Sequence, residues 1–310
     1  MFLLLGRGYF AYGNTNADET SSITPKRIPK RTPTRVCYRR PTGGGRFWIP
    51  AFLSLLLGSP FLCADQATSL VSEHSVGADV CTETLARDGN LVFVARRHDG
   101  CAIVDMTNPA TPQTITTVNP DPGTTDIWDV AALNGKLYLM NQPEAVDTNL
   151  GNWVGLYIYE VSTPTASILD GYLLWGGGVW HHLGGSTRAG TVAEINGSTY
   201  VFLCSLITSV IEVFDVTNAS APIFVTSIQG PGSFDQVFEV VVQDDTLYSA
   251  WMSGGFMIHD VTIPGLPEVL GQQAYLGSPT INGGLKTLCP TPDGTHVVTG
   301  EYTLQGDVRL

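Results

Sequence analysis

Positive charge is scarce over most of this chain. Residues 65–310 contain seven Lys/Arg against 26 Asp/Glu, a net of −19, whereas residues 1–64 contain nine Lys/Arg against two Asp/Glu. A body that acidic repels nucleic acid and anionic lipid, favours cations or cationic partners, and suits a soluble protein working in salty surroundings outside the cell, so no nucleic-acid partner is expected. Helical periodicity is also missing. No segment of the body sustains an apolar period of 3.6 residues, so the domain is expected to be nearly all β.

Several catalytic signatures are absent as well. The chain has no G-x-S-x-G, and no Ser or Cys in a context that would activate it as a nucleophile. "WGGGVW" (175–180) lacks the Lys and the strand–loop–helix setting of a phosphate loop. Cys81, Cys101, Cys204 and Cys289 are spaced too widely for a CxxC metal or redox motif, and small buried thiols are the expectation for all four. "NGS" (196–198) and "NAS" (218–220) match glycosylation acceptors but coincide with expected turns.

The N-terminal region has the composition of a targeting segment. Residues 1–35 are rich in Thr, Pro and basic residues without apolar periodicity, and are expected to be disordered. Because an export signal normally begins near residue 1, they read as a mis-assigned start ahead of Val36. Recovery of peptides from residues 8–30 of the native protein would refute that reading. Arg39, Arg40 and Arg46 precede the apolar stretch "FWIPAFLSLLLGSPFLCA" (47–64), which gives way to polar "DQATS". This is the pattern of a signal peptide spanning 36–64, cleaved after Ala64, or of an uncleaved N-terminal anchor. Pro50 and Pro60 interrupt the run and make it marginal as a membrane span. The mature domain, 65–310, carries no comparable run.

What the body does contain is a repeat. "GCAIVDMTNPATPQTITTV" (100–118), "GLYIYEVSTPTASILDGYL" (155–173), "SVIEVFDVTNASAPIFVTSI" (209–228) and "GGFMIHDVTIPGLPEVLGQ" (254–272) share an apolar run ending in an acid. The acids are Asp105, Glu160, Asp215 and Asp260. Ahead of each phrase lies a tight turn and a short strand: "DGNLVFVA" (88–95), "NGKLYLMN" (134–141), "NGSTYVFLC" (196–204) and "DDTLYSAW" (244–251). A still earlier strand precedes each turn. Four short strands per unit at this period predict the blades of a β-propeller. The Asn-Gly and Asp-Gly pairs suit two-residue hairpins, whose central positions need positive φ. An acid at the end of the third strand can accept backbone N–H bonds from two or three residues on, and the following Pro suits entry to an edge strand.

Taken in register, the four copies of apolar-apolar-[VFI]-Asp-Val-[ST]-x-Pro resemble the bacterial LVIVD-repeat β-propellers over about residues 75–310. Glu160 in place of Asp, and "PTAS" without its second Pro, depart from that pattern in the second unit. The resemblance implies a secreted or surface-associated protein. "CPTPDGTHVVTGEYTLQGDVRL" (289–310) begins a fifth unit whose acidic anchor would fall at position 311. The expectation is therefore four complete blades plus part of a fifth, in a chain truncated at its C-terminus.

Candidate functional residues follow from propeller geometry, in which the first strand of each blade lines the channel. Counting back eight residues from the second strand reaches Glu83, Asp129 and Glu239. Lys286 falls at this place in the fifth unit, and His181 or His182 in the third. Carboxylates and imidazole are ligand types for a divalent cation, with Asp129, His182 and Glu239 as the candidate ligands and a partly hydrated Ca²⁺ as the best fit. The loop 142–154 would bring Glu144, Asp147 and Trp153 to the same face. Of the other indoles, Trp175 and Trp251 are expected to fill the space between blades. The functional expectation is an exported binding or scaffold module, at the cell surface or in the periplasm, cation-assisted and directed at an extracellular protein or glycan. The alternative is a metal-dependent hydrolase or lyase at the channel mouth.

Overall fold

In the computed structural model, residues 83–142, 147–174, 187–205, 209–232, 236–274 and 284–302 are described, together with three short strands nearer the N-terminus. Those three are β1 (Thr34–Val36), β2 (Pro50–Ala51) and β3 (Ser72–Glu73). The first blade comprises β4 (Leu85–Asp88), β5 (Leu91–Ala95), β6 (Cys101–Asp105) and β7 (Gln113–Val118). The second comprises β8 (Ile127–Leu133), β9 (Lys136–Asn141), β10 (Val154–Glu160) and β11 (Ile168–Leu174). The third runs through β12 (Thr187–Ile195), β13 (Ser198–Ser205), β14 (Val210–Asp215) and β15 (Ile223–Gln229). The fourth is β16 (Val237–Gln243), β17 (Thr246–Trp251), β18 (Gly255–Asp260) and β19 (Glu268–Gln273). A two-stranded fifth unit contains β20 (Gly284–Pro290) and β21 (Val297–Tyr302).

Each blade is an antiparallel meander, its strands hydrogen-bonded in chain order, and β1 adds to the free edge of β4. The first strands β4, β8, β12, β16 and β20 lie against one another in succession, as the inner strands of a propeller must. The fold is thus the all-β propeller that the repeat predicts, with four complete blades and part of a fifth.

Local chemistry explains the strand boundaries. The hairpins between first and second strands place Asn134 at φ 53° with Gly135 at 77°, and Asn196 at 53° with Gly197 at 83°. This is the doubly left-handed turn that matches strand twist. After each third strand the acid closes the next bend. Asp105 accepts from the Thr107 N–H at 2.7 Å, Asp215 from Thr217 at 2.9 Å and Asp260 from Thr262 at 2.8 Å. Glu160 does the same for Ser162 at 3.0 Å, so the longer acid keeps the bend, and a short 3-10 turn (Pro164–Ala166) follows it. These acids are structural: hydrogen bonds from the following Thr hold the Asp105 and Asp260 carboxyls below the usual range.

The core lies between blades rather than within them. Ile103, Leu137, Leu139 and Tyr157 fill the first interface, Met140, Leu156, Leu203 and Phe214 the second, and Phe202, Ile211, Val240 and Trp251 the third. Trp251 is fully buried there, as expected, with its indole N–H donating to Ser249 Oγ at 2.8 Å. The third blade's acid-closed bend packs onto the second blade's outer strand. A Cβ at Gly171 would come within 1.7 Å of the Ala219 carbonyl oxygen, so only glycine admits the bend. The cysteines depart in part from expectation. Cys101 and Cys204 are buried thiols and Cys81 lies outside the described residues, but Cys289 is exposed, its strand sitting in the two-stranded fifth unit. Burial pushes the Cys101 thiol up to about 12.

Candidate functional site at the channel mouth

Every inner strand is bulged at the same place. The pairing register slips by one residue between Ile127 and Asp129, between Thr187 and Ala189, between Val237 and Glu239, and between Leu285 and Thr287. In the first blade, the Glu83 N–H donates to the Ala95 carbonyl while the Ala95 N–H donates to Thr84, both at 3.0 Å, which is the same slip. A bulge leaves one residue out of the ladder and re-aims its side chain. The residues so released are Glu83, Trp128, Arg188, Phe238 and Lys286, one from each of five successive blades.

Four of these side chains, Trp128, Arg188, Phe238 and Lys286, lie against one another in succession. The Arg188 guanidinium lies 3.9 Å from the Trp128 ring centroid and 6.0 Å from that of Phe238, and the Lys286 ammonium lies 4.8 Å from Phe238. Arg97, from the turn between β5 and β6, brings a further guanidinium to 3.6 Å from the Trp128 centroid. Cation and aromatic ring alternate from the first blade to the fifth, an arrangement that attraction to the ring quadrupole favours.

Arg97 is held by its own scaffold. Its backbone N–H and carbonyl exchange 3.2 Å hydrogen bonds with Ile127, pinning the turn to the start of β8. Its Nη2 donates to Asp126 Oδ2 at 2.6 Å, its Nε donates to the other carboxylate oxygen, and Nη1 lies 3.5 Å from Glu83 Oε1. Burial alone would lower the Arg97 pKa, but the hydrogen bonds and charge of Asp126, with Glu83, carry it above the ordinary arginine value. Asp126 is buried and also accepts the Trp128 indole N–H at 2.8 Å. Its own N–H donates to Asn141 Oδ1 at 2.8 Å. One carboxylate therefore orients both the arginine and the indole.

The residues expected at the mouth fall into three groups. Glu83 and Lys286 belong to the ring. Asp129 and Glu239 come one residue past the bulge and are buried in the wall. Asp129 Oδ1 accepts from the Val130 N–H at 2.8 Å and Oδ2 from the Gly190 N–H of the next blade at 3.0 Å, so its carboxylate engages backbone. Asp147 is likewise inward. It accepts from the N–H groups of Asn149 and Leu150, each at 2.8 Å, and from the Tyr157 hydroxyl at 2.6 Å. It thereby fixes the loop that presents half-buried Trp153. Glu144, His181 and His182 lie outside the described residues. Among the described residues no three His, Cys, Asp or Glu side chains are grouped so as to hold a metal ion.

Arg97, Arg188 and Phe238 were not anticipated. Counting at a fixed interval passes over a bulge, because the extra residue shifts everything before it by one. The scarcity of cations was the usable signal. Of the seven Lys/Arg between 65 and 310, three meet at this ring.

Comparison with solved structures agrees with the architecture. The periplasmic gluconolactonase PpgL of Pseudomonas aeruginosa is similar, with a TM-score of 0.50 and 10% identity over 72% of this chain and 66% of that one. Sqt1 from Chaetomium thermophilum also superposes with a TM-score of 0.50, at 14% identity over 78% of this chain and 62% of that one. The chain thus spans about two thirds or less of the length of these neighbours, and at such identities the likeness is one of fold. No protein-family model and no curated protein sequence matches the chain. What the comparisons carry is the β-propeller itself.

Proposed function

We propose that this chain is an exported binding module of the LVIVD-like kind, and that it takes its ligand at the channel mouth framed by Glu83, Arg97, Trp128, Arg188, Phe238 and Lys286. The observation that carries this reading is the coincidence of five bulges. Five successive blades release one side chain each at the same level, and four of the five are large aromatic or cationic groups. A bulge in an inner strand sacrifices ladder pairing, and bulges gather where a side chain must be aimed. Rigid strands hold the ring, and Arg97 reaches it from the turn between β5 and β6, an arrangement of side chains on a rigid scaffold that suits binding.

Export is supported by the basic flank, the apolar run and the small residues of segment 36–64. Among the described residues no helix is long and apolar enough to cross a membrane. Two measurements test the proposal. The purified chain is applied to arrays of extracellular proteins and glycans, with a Trp128→Ala variant alongside. Binding that Trp128→Ala abolishes while the melting curve stays cooperative is the expected result, and binding indifferent to Trp128 would place the site elsewhere. Fractionation of cells expressing the tagged chain with and without residues 36–64 tests export, and retention of both forms inside the cell would refute it.

A further inference from the structure

We infer that the outer rim of the second, third and fourth blades docks a protein segment presenting an apolar strip flanked by Lys or Arg. The rim lies away from the mouth, so the inference stands apart from the reading of the mouth as a ligand site. Arg97 brings the β5–β6 turn to the mouth, and in an antiparallel meander the bends after the third strands fall at the opposite end.

The rim is marked first by where apolar side chains are left in water. Ten large apolar side chains are exposed among the described residues, and nine of them belong to β11, β15, β19 or the bend leading into β19. The outer strand of the first blade, β7, exposes Gln113 and Thr117 instead. Apolar residues exposed singly need no explanation, whereas a concentration of them marks an interaction surface. The strands also join into one surface. The bend of the third blade sets the Ala219 carbonyl against Gly171 of β11, and a Cβ at Gly265, in the bend of the fourth, would lie 3.6 Å from Val225 of β15. Ile168, Leu169, Ile223, Leu266 and Leu270 therefore follow one another along a continuous rim.

Bulges decide how that surface can be used. The register slips between Ile158 and Tyr159, between Val213 and Phe214, and between Ile258 and His259, which places a bulge against each outer strand of the rim. Bulged edges resist the addition of a further strand, so side chains rather than a backbone ladder make the contact.

Charge chooses the partner. Glu160 lies directly opposite Ile168, Asp215 opposite Ile223 and Asp260 opposite Glu268, and cross-strand pairs share a face. In the second blade the chain supplies its own cation: Lys136 pairs with Asp170 and lies 3.6 Å from Glu160. In the third and fourth blades no Lys or Arg among the described residues plays that part. Asp215 and Asp260 each accept the N–H of the bend through Oδ1, and Oδ2 takes no hydrogen bond among the described residues. An acid beside an exposed aliphatic side chain is complemented by a cation beside an apolar group. A second copy, carrying the same −19 on its body, is repelled, as is anionic lipid.

The experiment is fluorescence anisotropy of labelled peptides titrated with the full chain. The probes are an amphipathic Leu/Lys peptide, its Leu/Glu counterpart and an oligolysine of equal charge. The expected result is saturable binding of the Leu/Lys peptide, weakened by salt and roughly ten-fold tighter than that of oligolysine, with the Leu/Glu peptide silent. Ile223→Ser and Leu270→Ser, at exposed positions of two blades, are each expected to weaken it roughly five-fold, as loss of a partly buried aliphatic contact does. Glu268→Gln should flatten the salt dependence. Val298→Ser, an exposed apolar position in the fifth unit, should leave binding unchanged. Failure of the Leu/Lys peptide to bind, equal binding of oligolysine, or binding that either Ser variant of the rim leaves intact overturns the inference. Sedimentation of the full chain and its mixing with phosphatidylcholine vesicles test the other occupants. Self-association or vesicle binding that Leu270→Ser abolishes, with the Leu/Lys peptide silent, assigns the rim to a second copy or to lipid and likewise overturns it.

Discussion

The guanidinium of Arg188 on the third blade lies 3.9 Å from the ring centroid of Trp128 on the second. Side chains released by bulges are therefore braces between blades as well as candidates for recognition. Replacing Trp128 with Ala removes the ring shared by Arg97 and Arg188. Two cation–π contacts of about 1 kcal/mol each, with about 1–2 kcal/mol of lost indole burial, predict a destabilisation of about 3–4 kcal/mol. Trp128→Phe keeps a ring but loses the N–H bond to Asp126, and should cost about 1 kcal/mol. Urea unfolding of the two variants measures both. Equal stability of Trp128→Ala and the parent would mean that the ring braces nothing.

Asp126 is the second control point. Its buried carboxylate takes two donors from Arg97 and one from Trp128. Asp126→Asn preserves shape and removes the charge, leaving the Arg97 guanidinium partly buried beside Glu83 alone. Breaking a pair of this kind costs about 3 kcal/mol. The loss should show as a lower urea midpoint, and a further Arg97→Met substitution should restore part of it by removing the stranded cation. Absence of any such rescue would separate the two residues energetically.

The blades were legible in the sequence because turn chemistry is local. Asn134-Gly135 and Asn196-Gly197 announce left-handed turns, and Asp105, Asp215 and Asp260 announce the bends that follow the third strands, each within a few residues. The mouth was legible only in part because it depends on register. A strand alternates faces with a period of two, and one inserted residue inverts which face a position takes. Glu83 and Lys286 were reached by counting, whereas the same count arrived one residue past Trp128 and Phe238, at Asp129 and Glu239. Arg97 could not have been reached in that way at all. It sits in a turn of the first blade and owes its place to a pair of backbone bonds with Ile127 in the second.

Asp129 bears directly on whether a divalent cation works at the mouth. With its oxygens on the Val130 and Gly190 N–H groups, its removal takes from two buried donors the carboxylate that each contacts. Asp129→Ala should cost about 2 kcal/mol, by the same amount in calcium and in chelator. Paired thermal melts of parent and variant in the two buffers check this. A calcium-dependent rise in the parent melting temperature that Asp129→Ala abolishes would instead assign the carboxylate to a cation.

Glu212 gives the fold a pH dependence whose sign can be worked out. It lies on β14, 1% exposed, opposite Leu203 and Ser227 on the adjoining strands, and its Oε1 meets no hydrogen-bond partner among the described residues. Burial pushes its carboxyl up to about 7, from an ordinary value of 4.5. As pH rises, the unfolded chain gives up this proton first, so the folded state binds more protons between those values and stability falls from about pH 4.5 to about pH 7. Above that range the loss is complete and amounts to roughly 3 kcal/mol. Glu212→Gln cannot ionise. Its stability relative to the parent should therefore rise across the same window and level off beyond it. His259, buried and with its pKa lowered by that burial, titrates in the opposite sense. It is common to both proteins, so the difference between their urea midpoints isolates Glu212. A difference that stays flat from pH 4.5 to 7.5 would mean that Glu212 is ionised in the folded protein and held by a charge or donor on a neighbouring segment.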